Sequence, residues 1–164
     1  MSLLVRHAMT EAPKAASPDM TAADAAGLMR SFDVGVVPVV DGDRLIGLVT
    51  DRDLVVRVLA DRLDPTQVKL QEIATTSTVT ISPDQQLSDA RTLMAERQIR
   101  RLPVTKDGRL VGILSMGDLA VADASKRAMG EALEDVSASE ATKRVNEGPE
   151  SGTPERVQER REVT

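Results

Sequence analysis

Val36-Val37-Pro38-Val39-Val40-Asp41-Gly42-Asp43-Arg44-Leu45-Ile46-Gly47-Leu48-Val49-Thr50-Asp51-Arg52-Asp53-Leu54 recurs in altered form 65 residues later. The second copy reads Arg101-Leu102-Pro103-Val104-Thr105-Lys106-Asp107-Gly108-Arg109-Leu110-Val111-Gly112-Ile113-Leu114-Ser115-Met116-Gly117-Asp118-Leu119. Each copy is a short run of β-branched and aliphatic residues, a turn signal, and a second such run, which is the pattern of two strands in a hairpin. Asp41-Gly42 and Asp107-Gly108 are dipeptides that favour a tight hairpin turn. The return runs, 45–50 and 110–115, are nearly continuous in apolar residues, which predicts strands buried on both faces.

The repeat extends upstream at the same offset. Ser17-Pro18-Asp19 returns as Ser82-Pro83-Asp84, Asp24-Ala25 as Asp89-Ala90, and Leu28-Met29 as Leu93-Met94. Residues 8–54 and 73–119 align without gaps at 15 identities in 47, so the chain carries an internal duplication. Ala22, Ala25, Leu28 and Met29 have helical spacing, as do Leu87, Ala90, Leu93 and Met94, which predicts a helix before each hairpin. A second helix is predicted after each, over 52–63 and 117–129, with Asp64-Pro65 breaking the chain between repeats. Residues 5–10 and 69–75 read as short helical lead-ins. The expected organisation is a β-α-β-β-α repeat over 1–65, a second over 66–130, and an acidic, largely disordered tail over 131–164. Apolar residues in that tail are too few to offset the entropy of ordering it.

Composition narrows the function classes. The chain has 164 residues, one aromatic (Phe32), one histidine and no cysteine. Without cysteine, disulfides, thiolate chemistry and cysteine metal sites are excluded. The core is expected to be aliphatic, and a flat ligand to be held between aliphatic side chains. Net charge is −5, with nine acidic and five basic residues in 131–164 against 17 and 16 before them. A nearly neutral body without stacking aromatics is no nucleic-acid binder. The longest apolar run, 34–40, is too short to span a membrane, and the N-terminus lacks a signal-peptide pattern, so a cytoplasmic location is the default expectation. His7, alone, has no metal-ligand spacing. No nucleophile–base–acid set, Walker loop or dinucleotide fingerprint is present, and Gly35, Gly47 and Gly112 occupy strand positions where close packing accounts for them.

The strands at 36–39 and 101–104, with the turns Gly47-Leu-Val-Thr-Asp-Arg-Asp-Leu54 and Gly112-Ile-Leu-Ser-Met-Gly-Asp-Leu119, resemble CBS domains. Over residues 5–125 the chain is similar to a tandem CBS pair, or Bateman module. The resemblance implies an α+β (mixed α/β) fold of two β-α-β-β-α repeats related by a pseudo-twofold axis and packed through their sheets. It implies a homodimer, an unidentified regulated protein as a further partner, and clefts that hold an adenine nucleotide (AMP, ADP or ATP) or S-adenosylmethionine, with no cofactor required and no catalysis.

The resemblance also nominates a ligand-binding set. In Thr50-Asp51-Arg52-Asp53 and Ser115-Met116-Gly117-Asp118 it implies that Asp53 and Asp118 accept hydrogen bonds from ribose hydroxyls, with Thr50 and Ser115 near phosphate. A carboxylate suits two hydroxyl donors, and a helix N-terminus suits an anion. The same spacing is a helix capping box, contributing ~0.5–2 kcal/mol with no ligand at all; both readings stand at this point. Arg52, Arg100 and Arg101 are candidate phosphate partners through their planar donor forks, or else surface or dimer-interface charges. Gly35 and Val36 replace Arg100 and Arg101 in the first repeat, so the two sites are not equivalent. For the base, Ala16, Val36, Val37 and Pro38 are candidates in one repeat, and Thr78, Ile81, Leu102 and Pro103 in the other; as ordinary core residues they need no ligand. The competing function is a stress-related protein–protein interaction or scaffold module without a physiological nucleotide.

Overall fold

The computed structural model describes residues 3–129. In chain order the elements are a 3-10 turn (Val5–His7), β1 (Thr10–Glu11), α1 (Ala22–Phe32), β2 (Val36–Asp41), β3 (Arg44–Thr50), α2 (Asp51–Leu54), α3 (Leu70–Ile73), α4 (Leu87–Arg97), β4 (Arg101–Lys106) and β5 (Arg109–Ser115). A helix over 116–129, α5, follows β5. Met1–Asp123 forms one compact unit; of the second, Ala124–Thr164, residues 124–129 are described and are helical. The expected tail over 131–164 lies outside the described residues.

The two hairpins form where the repeat places them. Asp41 pairs with Arg44 and Lys106 with Arg109, so each turn has two residues. The first turn is Gly42-Asp43, one residue later than the Asp41-Gly42 reading. Gly42 takes φ +63° there, whereas Asp107 and Gly108 both take positive φ, 53° and 78°. A twisted hairpin needs such left-handed residues, and glycine supplies them at least cost. β2 and β4 are buried over most of their length, but β3 and β5 are buried only in part, which corrects the expectation of burial on both faces for the return strands. The opening strand of each repeat is reduced to a single parallel bridge, Ala16 to Val39 and Ile81 to Val104.

Thr21 caps α1: its hydroxyl accepts the Asp24 amide at 3.2 Å, and its own amide donates to Asp24 at 2.8 Å. Both long helices end on a left-handed residue, Asp33 and Gln98, again 65 residues apart. The helix predicted over 52–63 is shorter. It is α-helical over Asp51–Leu54, continues as π-helix over Val55–Leu59, and gives way to a turn in which Arg62 takes φ 54°.

The lead-ins are helical, as predicted, but each packs on the half other than the one it leads into. Val5 joins a core with Ile81, Leu87, Ala90, Met94, Leu102, Val104, Leu114 and Leu119. Leu70 and Ile73 join the other core, with Ala16, Ala22, Ala25, Met29, Val37, Val39 and Val49. Backbone bonds enforce the exchange: Val5 N donates to Gln85 O at 2.9 Å and Leu70 N to Met20 O at 2.9 Å. Thr10 pairs with Ile113 on β5, and Thr75 bridges Leu48 on β3. Between the hairpin tips, Leu45 N donates to Gly108 O at 3.1 Å and Leu110 N to Asp43 O at 2.9 Å. These two bonds interchange under the 65-residue offset, as a pseudo-twofold axis between the hairpins requires, and they join the halves into one five-stranded sheet.

Gly47 exists for the exchange. A Cβ there would lie 2.6 Å from the Thr75 carbonyl oxygen. Gly47→Ala is therefore expected to lower unfolding free energy by about 1–3 kcal/mol, an overpacking cost. Gly27, inside α1 with no atom within 4 Å of its Cβ position, is the opposite case; Gly27→Ala is expected to raise it by about 0.5–1 kcal/mol. Urea denaturation of the two variants checks both signs.

Candidate functional site

β5 ends at Ser115 and α5 starts at the next residue, which places the Ser115 side chain at a helix N-terminus. Its amide and hydroxyl both donate to Asp118 Oδ2 at 2.7 Å, and the Asp118 amide donates to Ser115 Oγ at 3.2 Å. Thr50 and Asp53 repeat this at 2.8, 2.9 and 3.1 Å. Both motifs are thus capping boxes. A box occupies one carboxylate oxygen, and the two halves differ at the other. Asp53 Oδ1 lies 3.6 Å from Arg57 Nε, and Arg57 Nη1 also donates to the Ile73 carbonyl at 2.7 Å. Residue 122, the counterpart of Arg57, is alanine. Asp118 Oδ1 consequently has no partner among the described residues.

Asp118 opens onto a cleft of about 410 Å³. Three segments line it: Arg101, Ile113, Ser115 and Asp118 from the second hairpin and α5; Phe32, Asp33, Val34, Gly35 and Val36 from the junction of α1 and β2; and Thr10, Ala12, Pro13 and Lys14 from the exchanged lead-in. Arg101 is the cross-strand partner of Ser115, where the first hairpin pairs Val36 with Thr50. Arg101 reaches across to Gly35, where a Cβ would lie 3.4 Å from one of its terminal nitrogens, an ordinary contact, and 3.1 Å from Asp51 Oδ2. The cleft thus brings two cations, Lys14 and Arg101, and two carboxylates, Asp33 and Asp118, against an apolar wall. Neither Lys14, Asp33 nor Arg101 forms an ion pair among the described residues.

Of the residues nominated from the sequence, Val36, Arg101, Ser115 and Asp118 come together in this cleft. Ala16, Val37, Pro38, Ile81, Leu102 and Pro103 are buried in the two cores or the strands between them. Thr50 and Asp53 stand at the matching helix start of the other half, with Arg52 exposed beside them. Thr78, at the position matching Pro13, donates its hydroxyl to the Thr76 carbonyl at 3.4 Å. Arg100 turns away from Arg101 to a separate depression of about 280 Å³ with Arg91, Met94, Ala95, Gln98, Ile99 and Met116. His7 Nδ1 accepts the Leu4 amide at 3.1 Å.

Sequence reasoning missed Thr10, Ala12, Pro13, Lys14, Phe32, Asp33, Val34, Gly35 and Ile113. Phe32 corrects the expectation of a purely aliphatic surround: it is 46% exposed and lies on the cleft wall, not in the core. Its signal was available, since a single aromatic at the end of an amphipathic helix is not needed for packing. Lys14 carries no such signal, because only the lead-in exchange brings it to the second hairpin. Among the described residues, no helix is long and apolar enough to cross a membrane, and no group of three His, Cys, Asp or Glu side chains is placed to hold a metal ion.

Comparison with known proteins bears on the fold. The chain is 41% identical over 133 residues to the CBS domain-containing protein YhcV of Bacillus subtilis (strain 168), covering 81% of this chain and 94% of that one. The crystal structure of Hypoxic Response Protein I with two coordinated zinc ions superposes with a TM-score of 0.66 at 35% identity, covering 73% of this chain and 98% of that one. The CBS domain pair of protein MJ0100, solved in complex with 5′-methylthioadenosine and S-adenosyl-L-methionine, superposes with a TM-score of 0.69 over 77% of this chain and 99% of that one; at 24% identity this likeness is one of fold. The family model for the CBS domain matches twice, over residues 5–60 and 70–125, and the chain belongs to that family as a tandem pair.

Proposed function

We propose that the chain is a non-catalytic sensing module that binds an adenine nucleotide or adenosyl compound in the cleft between α1, the lead-in and the second hairpin. One observation carries the reading: Asp118, with one carboxylate oxygen unpaired among the described residues, lines the same cleft as Arg101. A carboxylate is an acceptor-only group and suits the paired hydroxyls of a ribose. Arg101 presents a planar donor fork to a phosphate or carboxylate, and Ser115 and the start of α5 add donors at the same end. Val34, Val36 and Ile113 offer apolar surface to a base. The Thr50–Asp53 motif serves as a cap, its carboxylate already shared with Arg57.

The test is a thermal-shift screen with AMP, ADP, ATP and S-adenosylmethionine. A ligand at a hundred times its Kd stabilises the fold by ~2.7 kcal/mol, a rise in Tm of roughly 5–10 °C at this size. Asp118→Asn keeps an acceptor for the cap and is expected to weaken binding at least about tenfold, the scale of one lost charged hydrogen bond. Asp53→Asn is expected to leave affinity within about twofold, since its second oxygen is held by Arg57 rather than offered to a ligand. Equal losses in both variants, or no ligand at all, would sink the reading in favour of a scaffold module.

Self-association is the second part of the proposal, and a specific surface favours it. Val55, Val56 and Leu59 stand 55%, 50% and 70% exposed on consecutive turns after β3. A continuous apolar strip of this kind on a folded protein marks an interaction face. A homodimer across it is expected to become monomeric in Leu59→Lys, read as a halved mass in light scattering with the Tm of the monomer fold retained. A wild-type chain that is monomeric at high micromolar concentration would remove this part of the proposal.

A further inference from the structure

The cleft's aromatic residue has a partner that a ligand could displace. Phe32 closes α1 and is the only Phe, Tyr or Trp in the chain. Nearly half exposed, its ring adds nothing to either core, yet it lines the cleft. Lys14 lies over it, with Nζ 5.1 Å from the ring centroid. An ammonium on an aromatic face at an exposed site is a weak contact, and a purine is a better occupant of the same face. Lys14 and Phe32 come from different segments, so moving Lys14 off the ring requires only rotation of a long, flexible side chain.

We propose that Phe32 is the base-selecting platform of this site and that Lys14 is its exchangeable cover. The base stacks on the ring and displaces the ammonium. The released Lys14 then joins Arg101 on the ligand's anionic group, so a ligand carrying both a flat base and an anion gains two contacts where a fragment gains one. This deepens the adenosyl-binding reading and rests on it. It names the selected class as flat-base nucleotides and related anionic adenosyl compounds, in preference to sugar phosphates.

The chain's lack of other aromatic residues makes the test direct. In proton NMR of the full chain, Phe32 supplies the only aromatic resonances besides those of His7. Titration with AMP, and with S-adenosylmethionine in parallel, is expected to move the ring protons upfield in step with saturation, as stacking demands. Phe32→Leu is expected to weaken AMP about tenfold, as loss of a stacked base does, and to change the affinity for ribose 5-phosphate less than twofold; its Tm verifies folding. Lys14→Gln should weaken AMP more than adenosine. Saturation with unmoved ring resonances would overturn the proposal and leave the adenosyl reading intact, as would equal losses of AMP and ribose phosphate in Phe32→Leu. No binding of either probe to the native chain would fell both together.

Discussion

The close approach of Thr75 to Gly47, and of Thr10 to β5 beside Gly112, is the constraint on which the rest depends. Each hairpin is completed along its edge by a segment from the other half of the duplication. The exchange gives each core its buried lead-in residues, Leu70 and Ile73 in one and Val5 in the other. It also carries residues 12–14 across to the second hairpin and so builds one wall of the cleft. Remove the exchange and the site loses a side, not only some stability. The glycines are the local condition for it, because a side chain at either position would meet the incoming strand or its neighbours.

The parts of this architecture that reside in local pattern were legible in the sequence. Strand runs and helix spacing are short-range signals, and the two hairpins and two long helices they predict are found in place. Burial of the return strands was overestimated because Leu45, Ile46 and Leu48 look like core residues but belong to strands only partly covered. The hairpin turn was misplaced by one residue because Asp41-Gly42 and Gly42-Asp43 both contain the necessary glycine. What could not be read was long-range: two lead-ins of similar pattern are equally able to cover either core, and no periodicity says which.

The site followed the same division. Ser115 and Asp118, nominated through the family resemblance, and Arg101, nominated through charge, line one cleft. Lys14 and Asp33 were missed because their roles come from juxtaposition. The two motifs, nearly identical as text, diverge through one substitution: Arg57 engages the spare oxygen of Asp53, while Ala122 leaves that of Asp118 open. The two helix caps differ at a residue outside the motif: one shares its second oxygen with an arginine, and the other lines the cleft. The register neighbour sharpens the difference, with arginine beside Ser115 and valine beside Thr50.

The exchange also orders events on the ribosome. Residues 3–11 are translated before either hairpin, yet their backbone partners are at Gln85 and on β5 at Gly112 and Ile113. The first core can close once Thr75 has appeared, but residues 3–11 must wait for Gln85 and then for Ile113. β5 secures a segment translated before either hairpin, so completion of this pairing is coupled to completion of the second hairpin.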